Sequence, residues 1–236
     1  MKRWVILAAA LTVLALAGSL ALGLIPSLYD RLPERIPVHW GFKGEPDGWV
    51  PKTDWWKAFL LMPGFMVVLL LVMLALPWLS PRPFDLERFR PTYGYIMFLV
   101  IFMMAYIHFV AMLGGVLAPD HVARLILGGI CLFFALIGNV LGKVKRNFYV
   151  GIRTPWTLAS EKVWVATHRL GAWMFTAAGV LGFLMILAGL PVYWGLLLIL
   201  PAAFVPVIYS LVLYKRLEKR GELDLPAASG EEVPIA

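Results

Sequence analysis

Five long stretches of this chain contain no aspartate, glutamate, lysine or arginine. They run from 18 to 45 residues, and a helix that spans a bilayer needs about 20 apolar residues. The composition agrees, since 61% of the residues are hydrophobic and 15% are charged, whereas soluble domains are about 25% charged. The five stretches are Trp4–Tyr29, Ala58–Pro81, Pro91–Pro119, Leu125–Gly142 and Leu170–Tyr214. They predict an integral membrane protein.

The last stretch is too long for one helix, and Gly189-Leu190-Pro191 near its middle is a helix-stop signal. Splitting it there gives six spans. Inside a bilayer each span must satisfy its own backbone hydrogen bonds, so the predicted fold class is an all-α integral membrane protein with six transmembrane helices. Pro63, Pro201 and Pro206 are expected to kink their helices. Gly138 and Gly142 are expected to allow close helix packing.

The first stretch has an alternative interpretation. Lys2-Arg3, an apolar run and Ala15-Leu16-Ala17 together resemble a cleaved secretory signal. However, the apolar run continues to Leu28, beyond the usual 7–15 residues of a signal core, which favours a retained helix.

Lysine and arginine predict the orientation, because they collect on the cytoplasmic side. With the N-terminus inside, 15 of the 21 basic residues face the cytoplasm and 6 face outward. Both termini are therefore expected in the cytoplasm, and the net charge of +7 is attributed to orientation rather than to direct nucleic-acid binding. The expected organisation is residues 1–80 with an outer loop (31–56), residues 81–218 with an inner loop (143–169), and a disordered tail (219–236).

The outer loop has prolines and glycines at fixed corners, which predicts a compact shape. One interpretation is an interfacial cap, because Trp40 and Trp49 suit the headgroup layer. The other is a recognition surface with His39, Asp47 and Lys52 as its polar members. His39 and Asp47 alone offer too few ligands for a convincing metal site.

The inner loop contains Thr154-Pro155, an N-cap followed by a first helical position. A helix from there is expected to run past Trp156 and Trp164 into the fifth span. Arg153, just before this helix start, suggests an anion site for lipid phosphate, a partner's carboxylate or a small anion.

Two polar residues fall inside spans. His108 is a functional candidate by its position, although a neutral histidine bonded to a neighbouring helix is the simpler interpretation. Asn139 is interpreted as a contact between helices. No matched set of nucleophile, acid and base, no cofactor motif and no metal-ligand pattern is found, so a non-enzymatic protein is expected.

Both loops resemble a known family. The inner one resembles the SdpI family, bacterial membrane proteins named for immunity to a sporulation-delaying peptide. Its matching residues are Asn147, Gly151-Ile152-Arg153-Thr154-Pro155-Trp156-Thr157-Leu158, Trp164 and Thr167-His168-Arg169. The outer loop resembles the small domain of unknown function that usually precedes it. Its matching residues are Leu32-Pro33, Ile36-Pro37, His39-Trp40, Gly44, Pro46-Asp47-Gly48-Trp49 and Lys52. Gly41 replaces a usual asparagine, and Arg146 replaces a frequent proline.

The resemblance implies a multi-pass protein of a bacterial cytoplasmic membrane. It implies protection against a secreted membrane-active peptide outside and signalling to a transcriptional repressor inside. The predicted recognition residues are His39, Trp40, Asp47, Trp49, Lys52, Asn147, Arg153, Thr154, Trp156, Trp164, His168 and Arg169. The alternative function is transport or lipid handling, with the kinked spans and His108 lining a pathway.

Overall fold

The computed structural model of the protein describes residues 1–41, 45–80, 86–114 and 119–224, with the backbone alone at 119 and 120. Within these ranges six helical segments are long and apolar enough to cross a membrane, which confirms the predicted fold class. The helices are α1 (Lys2–Leu24), α2 (Pro26–Tyr29), α3 (Trp55–Phe59), α4 (Leu61–Leu79), α5 (Arg90–Leu113), α6 (Pro119–Leu141), α7 (Pro155–Ala159), α8 (Glu161–Leu187) and α9 (Tyr193–Arg220).

The fifth span begins earlier than the charge-free stretch does, and the helix that leads to it is broken. Thr154 caps α7 as predicted, with Pro155 at the first helical position. The expected continuous helix into the span is wrong, because Ser160 adopts an extended backbone (φ −132°, ψ 128°) and caps α8 anew. The charged first turn of α8 lies at the end of the bundle.

The prolines act differently from one another. Pro201 and Pro206 lie inside α9 as predicted. Pro63 lies in the first turn of α4. Backbone N–H groups there have no partner within the helix, so the N–H that proline lacks costs no helical hydrogen bond. Pro77, inside α4, deprives the Met73 carbonyl of its usual donor four residues on.

A tyrosine from the next span replaces the donor that Pro77 lacks. The Tyr93 hydroxyl of α5 donates to the Met73 carbonyl oxygen of α4, so the carbonyl stays satisfied inside the bundle. This contact ties α4 to α5 and makes the proline tolerable.

The six long helices pack mainly in two groups of three. α1, α4 and α5 surround a core that includes Ala8, Met66 and Met97. α6, α8 and α9 surround a smaller one that includes Cys131 and Ile199. Helices α5 and α6 join the groups.

Glycines bring α6 and α8 into backbone contact, as the sequence predicts. A Cβ atom on Gly138 would lie 2.6 Å from the Thr176 backbone nitrogen and 2.9 Å from the Ala172 carbonyl oxygen. Gly142 is less restrictive, since its nearest neighbour would be Ala172 Cβ at 3.8 Å. Lipid supplies no hydrophobic driving force between spanning helices, so their association depends on close packing. Small residues permit that packing.

The outer loop forms an antiparallel β-hairpin, which the sequence analysis did not anticipate. Its strands are β1 (Arg35–Trp40) and β2 (Pro46–Pro51), with Ile36 opposite Val50. The hairpin lies at the end of the bundle where α5 finishes, with Trp40 against Gly114. We call this the hairpin end.

Residues 142–160 lie at the other end of the bundle, which we call the loop end. There the Tyr149 hydroxyl donates to the Leu79 carbonyl oxygen at the finish of α4, over 2.7 Å. Helix α5 connects the two ends and, at 24 residues and 1.5 Å per residue, is roughly 36 Å long.

Some predictions fall on other parts of the chain. The residues that the structure does not describe include Gly44 of the outer motif and residues 225–236 of the tail. They also include two of the basic residues counted for the orientation, Lys43 and Arg82. The tail does not begin at residue 219 as expected, since α9 continues to Arg220.

Candidate functional site

The polar face of the hairpin holds two of the predicted residues in direct contact. His39 Nδ1 and an Asp47 carboxylate oxygen form a hydrogen bond, and both side chains are exposed. Gly48, opposite His39, leaves room for this pair, since a Cβ atom there would lie 2.9 Å from His39 Cβ. The hairpin register therefore brings the two side chains together.

Lys52 anchors the hairpin to the chain that leads into it. Its ammonium group donates to the Asp30 carbonyl oxygen at 3.3 Å, lies 3.8 Å from a Glu34 carboxylate oxygen and sits 4.9 Å from the centre of the Tyr29 ring. With donors used in this way, Lys52 acts as a brace for the hairpin.

The two hairpin tryptophans differ in burial. Trp49 is exposed, with the Arg35 guanidinium 5.9 Å from its ring centre. Trp40 packs on Gly114, and its indole N–H is buried without an acceptor in the described part of the chain. Trp49 is thus available to a partner or a headgroup, whereas Trp40 seats the hairpin on the bundle.

Beneath the hairpin lies a cavity of about 800 Å³. Its wall is mostly apolar, and His108 of α5 contributes a polar group. His108 is buried, and its Nε2 lies 2.9 Å from the Ser19 hydroxyl of α1. The simpler interpretation of His108, a bond between helices, is therefore present, and the same residue also borders the cavity.

The described residues contain no group of three or more histidine, cysteine, aspartate or glutamate side chains that could hold a metal ion. His39 and Asp47 form a pair only.

At the loop end, Asn147 organises the turn after α6. Its side-chain oxygen accepts from the backbone N–H groups of Tyr149 and Val150 at 2.8 and 2.7 Å. Its amide donates to the carbonyls of Lys145 and Val150 at 2.8 and 2.9 Å. The side chain is fully buried, so its role is to shape the loop, and it is not free to contact a partner.

His168 and Trp164 of α8 form the buried centre of the loop end. Their rings stack with centres 4.0 Å apart, and the Trp164 indole N–H donates to the Val144 carbonyl oxygen at 2.8 Å. His168 Nε2 accepts the Ile152 N–H at 3.0 Å, which leaves Nδ1 as the donor to the Trp164 carbonyl at 2.9 Å. Nε2 therefore holds the loop, and the Nδ1 bond within α8 fixes the orientation of the ring.

Gly151 makes the histidine contact possible. It has a positive φ of 114°, and a Cβ atom there would lie 2.3 Å from His168 Nε2. Only glycine combines this backbone conformation with so close an approach.

A hydroxyl cluster joins the loop to the last span. The Thr154 and Thr157 side chains cap each other's backbone N–H groups at 2.9 and 3.2 Å, and Thr154 Oγ1 lies 3.1 Å from Ser210 Oγ of α9. Trp156 lies beside them, half-buried. The run Thr154-Pro155-Trp156-Thr157 thus forms a hydrogen-bonded corner.

Arg153 lies just before the start of α7, where the sequence predicts an anion site. This exposed side chain donates to the Phe148 carbonyl oxygen within its own loop. A carboxylate lies at the start of the next helix, where Asp224 accepts from the Ser160 hydroxyl and, at 3.1 Å, from the Lys162 N–H at the beginning of α8. Arg169, also exposed, borders the same hollow.

Asp224 is held in its ionised form there. Burial alone would raise its pKa, but the hydrogen bonds from the Ser160 hydroxyl and nearby backbone N–H groups outweigh that effect and lower the pKa below the usual value. The beginning of α8 is thus occupied by the chain's own tail.

Asn139 does not make the contact between helices that the sequence suggests. Its side chain is exposed on α6, and no hydrogen bond to it occurs within the described ranges. Asn139 is the residue after Gly138, which faces α8, and the helical turn between the two directs the Asn139 side chain away from α8.

The structure therefore groups the predicted residues into two sets at opposite ends of the bundle. Sequence reasoning missed Ser19, Ser160, Ser210 and Asp224. A serine before Glu161 is a recognisable N-cap signal, whereas the other three partners depend on contacts between distant parts of the chain.

Comparison with known proteins agrees with both motifs. Residues 5–67 match the model of a domain of unknown function, DUF1648, and residues 143–212 match the SdpI/YfhL protein family. The immunity protein SdpI of Bacillus subtilis (strain 168) is 27% identical over 197 residues, which cover 80% of this chain and 88% of that protein. No solved structure matches the chain. The chain is thus similar to the SdpI/YfhL family over residues 143–212, with a DUF1648 match ahead of that region, as the resemblance of both loops predicts.

Proposed function

We propose that this chain is a non-catalytic immunity protein of a bacterial cytoplasmic membrane, and that it protects the cell from a secreted membrane-active peptide. The observation that carries the proposal is the similarity to an immunity protein over most of both chains. The two family regions include the hairpin and the loop end, so both structured ends belong to the shared part.

In this proposal the hairpin faces outward and receives the peptide. The exposed Trp49 and the His39–Asp47 pair offer aromatic and polar contacts on the hairpin surface. The apolar cavity beneath them suits a hydrophobic segment of a bound peptide. Electrostatic and aromatic contacts at the surface would orient the peptide before its apolar part is buried.

The experiment is a challenge assay in a sensitive bacterial host, using a sporulation-delaying type of peptide. Wild-type protein should restore growth. The double variant His39→Ala/Asp47→Ala should lose protection at equal membrane abundance, whereas Asp30→Asn, an exposed carboxylate outside the hairpin, should retain it. Failure of the wild-type chain to protect, at normal membrane abundance, would refute the proposed function.

We further propose that the loop end passes the signal to a cytoplasmic transcriptional repressor. Its exposed cations, Arg153 and Arg169, border a hydrogen-bonded corner that can present a fixed surface. Fractionation of cells after peptide challenge should place the repressor with the membrane, and Arg153→Ala should release it. Arg88→Ala, an exposed arginine on another segment, serves as the control, and an unchanged distribution in Arg153→Ala would contradict this role.

Transport is the second candidate, and the cavity bordered by His108 is the observation that favours it. If the wild-type chain carries a solute across the membrane of proteoliposomes and His108→Phe carries less of it, transport is supported. Peptide protection without any flux would support immunity.

A further inference from the structure

A long apolar groove runs along the seam where α5, α6 and α8 meet. It encloses about 930 Å³ and is lined by leucine and phenylalanine side chains of all three helices. Gly128 on α6 leaves space in the groove, because a Cβ atom there would be in van der Waals contact with Phe183, at 3.6 Å. This groove is separate from the cavity beneath the hairpin.

The groove opens toward the lipid. Phe102, Leu125 and Leu132 line it, and these residues are 43%, 41% and 39% exposed. In a spanning bundle, exposed apolar side chains in the middle of a helix face acyl chains, so an occupant can enter sideways from the bilayer.

The polar end of the groove lies at the hairpin end of the bundle and carries a cation. The Arg124 guanidinium donates to the carbonyl oxygens of Ile186, Gly189 and Leu190 at 3.2, 3.3 and 3.4 Å, where α8 finishes. Among the described side chains no carboxylate pairs with it. His121, one turn earlier on α6, is exposed at the same mouth.

The length of the groove fits one leaflet. Arg124 marks the polar end and Leu136 the apolar end on α6, which at 1.5 Å per residue is roughly 18 Å. Half of a hydrocarbon core of about 30 Å is about 15 Å. A molecule with a charged head at Arg124 and a chain extending to Leu136 therefore spans a single leaflet.

We propose that this groove binds one anionic glycerophospholipid from the leaflet at the hairpin end. An acyl chain lies along α6 over Gly128, and the phosphate faces Arg124 and His121. Arg124, which pairs with no carboxylate among the side chains that the structure describes, selects an anionic headgroup, and the apolar lining takes the chain. This inference does not depend on the immunity function.

The test uses the full chain, purified and stripped of lipid, with lipid binding measured by native mass spectrometry. The probes are dioleoyl phosphatidylglycerol and dioleoyl phosphatidylcholine. Wild-type protein should bind one phosphatidylglycerol molecule in preference to phosphatidylcholine. Arg124→Gln should weaken phosphatidylglycerol binding about 10-fold, as expected when a charged partner is lost, and leave phosphatidylcholine unchanged.

A second variant tests the groove without touching the cation. Leu132→Trp fills the groove and should remove the tight site for both lipids, whereas Leu181→Phe, at a lipid-facing position of α8 outside the lining, should bind as the wild type does. The proposal is overturned if wild-type protein binds both lipids equally. It is also overturned if either Arg124→Gln or Leu132→Trp leaves phosphatidylglycerol binding unchanged, or if a hydrophobic peptide occupies the groove and phosphatidylglycerol does not.

Discussion

Replacing Gly151 with alanine tests the buried centre of the loop end. The added methyl carbon would lie 2.3 Å from His168 Nε2, and the residue has a φ of 114°. Two costs follow. A non-glycine residue in this backbone region costs about 1–3 kcal/mol, and displacing the imidazole leaves the Ile152 N–H and His168 Nε2 without each other, about 1–3 kcal/mol more.

A matched control separates the two costs. Gly189 also has a positive φ, of 82°, but nothing lies within 4 Å of the Cβ position. Gly189→Ala therefore meets the backbone cost alone. For a chain of this size 1 kcal/mol corresponds to about 2–4 °C in Tm, so an excess near 2 kcal/mol should lower the Tm of Gly151→Ala by about 4–8 °C below that of Gly189→Ala.

The assay is thermal unfolding in one detergent, with His168→Ala added as the second arm of a double-mutant cycle. Removing the imidazole makes room for the methyl group, so the double variant should be more stable than the sum of the two single losses implies, by about 1–3 kcal/mol. Equal Tm values for Gly151→Ala and Gly189→Ala, or strict additivity in the cycle, would refute this explanation of the loop end.

Substitutions at three further contacts test the packing and the pH dependence. Tyr93→Phe leaves the Met73 carbonyl without a donor and should lower the free energy of unfolding by about 1–3 kcal/mol; an unchanged Tm would show that the proline needs no substitute donor. Gly138→Ala should cost about 1–3 kcal/mol through overpacking, and Gly142→Ala, with its nearest neighbour at 3.8 Å, should be nearly neutral in the same unfolding assay. The lowered pKa of Asp224 means that its docking is complete above the ordinary aspartate pKa and weakens as pH falls through the lowered value; hydrogen exchange at the beginning of α8, corrected for intrinsic rates, should show this, and Asp224→Asn should abolish the pH dependence.

The spans could be predicted because lipid imposes one simple rule on the chain. A segment that spans the bilayer must be helical and needs about 20 apolar residues, so the sequence identified all six spans. Their ends were less predictable. The fifth span starts at Glu161 rather than Leu170, because its charged first turn lies at the end of the bundle, where the charge criterion no longer applies.

The sites were only partly predictable, because their chemistry depends on pairs distant in sequence. The outer loop's prolines and glycines indicated a compact shape, yet the pairing of Pro37 with Trp49 required the hairpin register. The start of α8 holds a carboxylate that the sequence did not indicate, since Asp224 lies more than 60 residues from Ser160 along the chain. No local sequence pattern predicts a partner so distant along the chain.

The most direct test of the proposed two-sided arrangement is labelling with a membrane-impermeant maleimide in intact cells. Single cysteines replace Asp47 in the hairpin and Arg153 at the loop end, and the native Cys131 is buried and so should not react. We expect the cysteine at position 47 to label in intact cells and the one at position 153 to label only after permeabilisation. Labelling of both positions from the same compartment would contradict the arrangement on which the proposed immunity function rests.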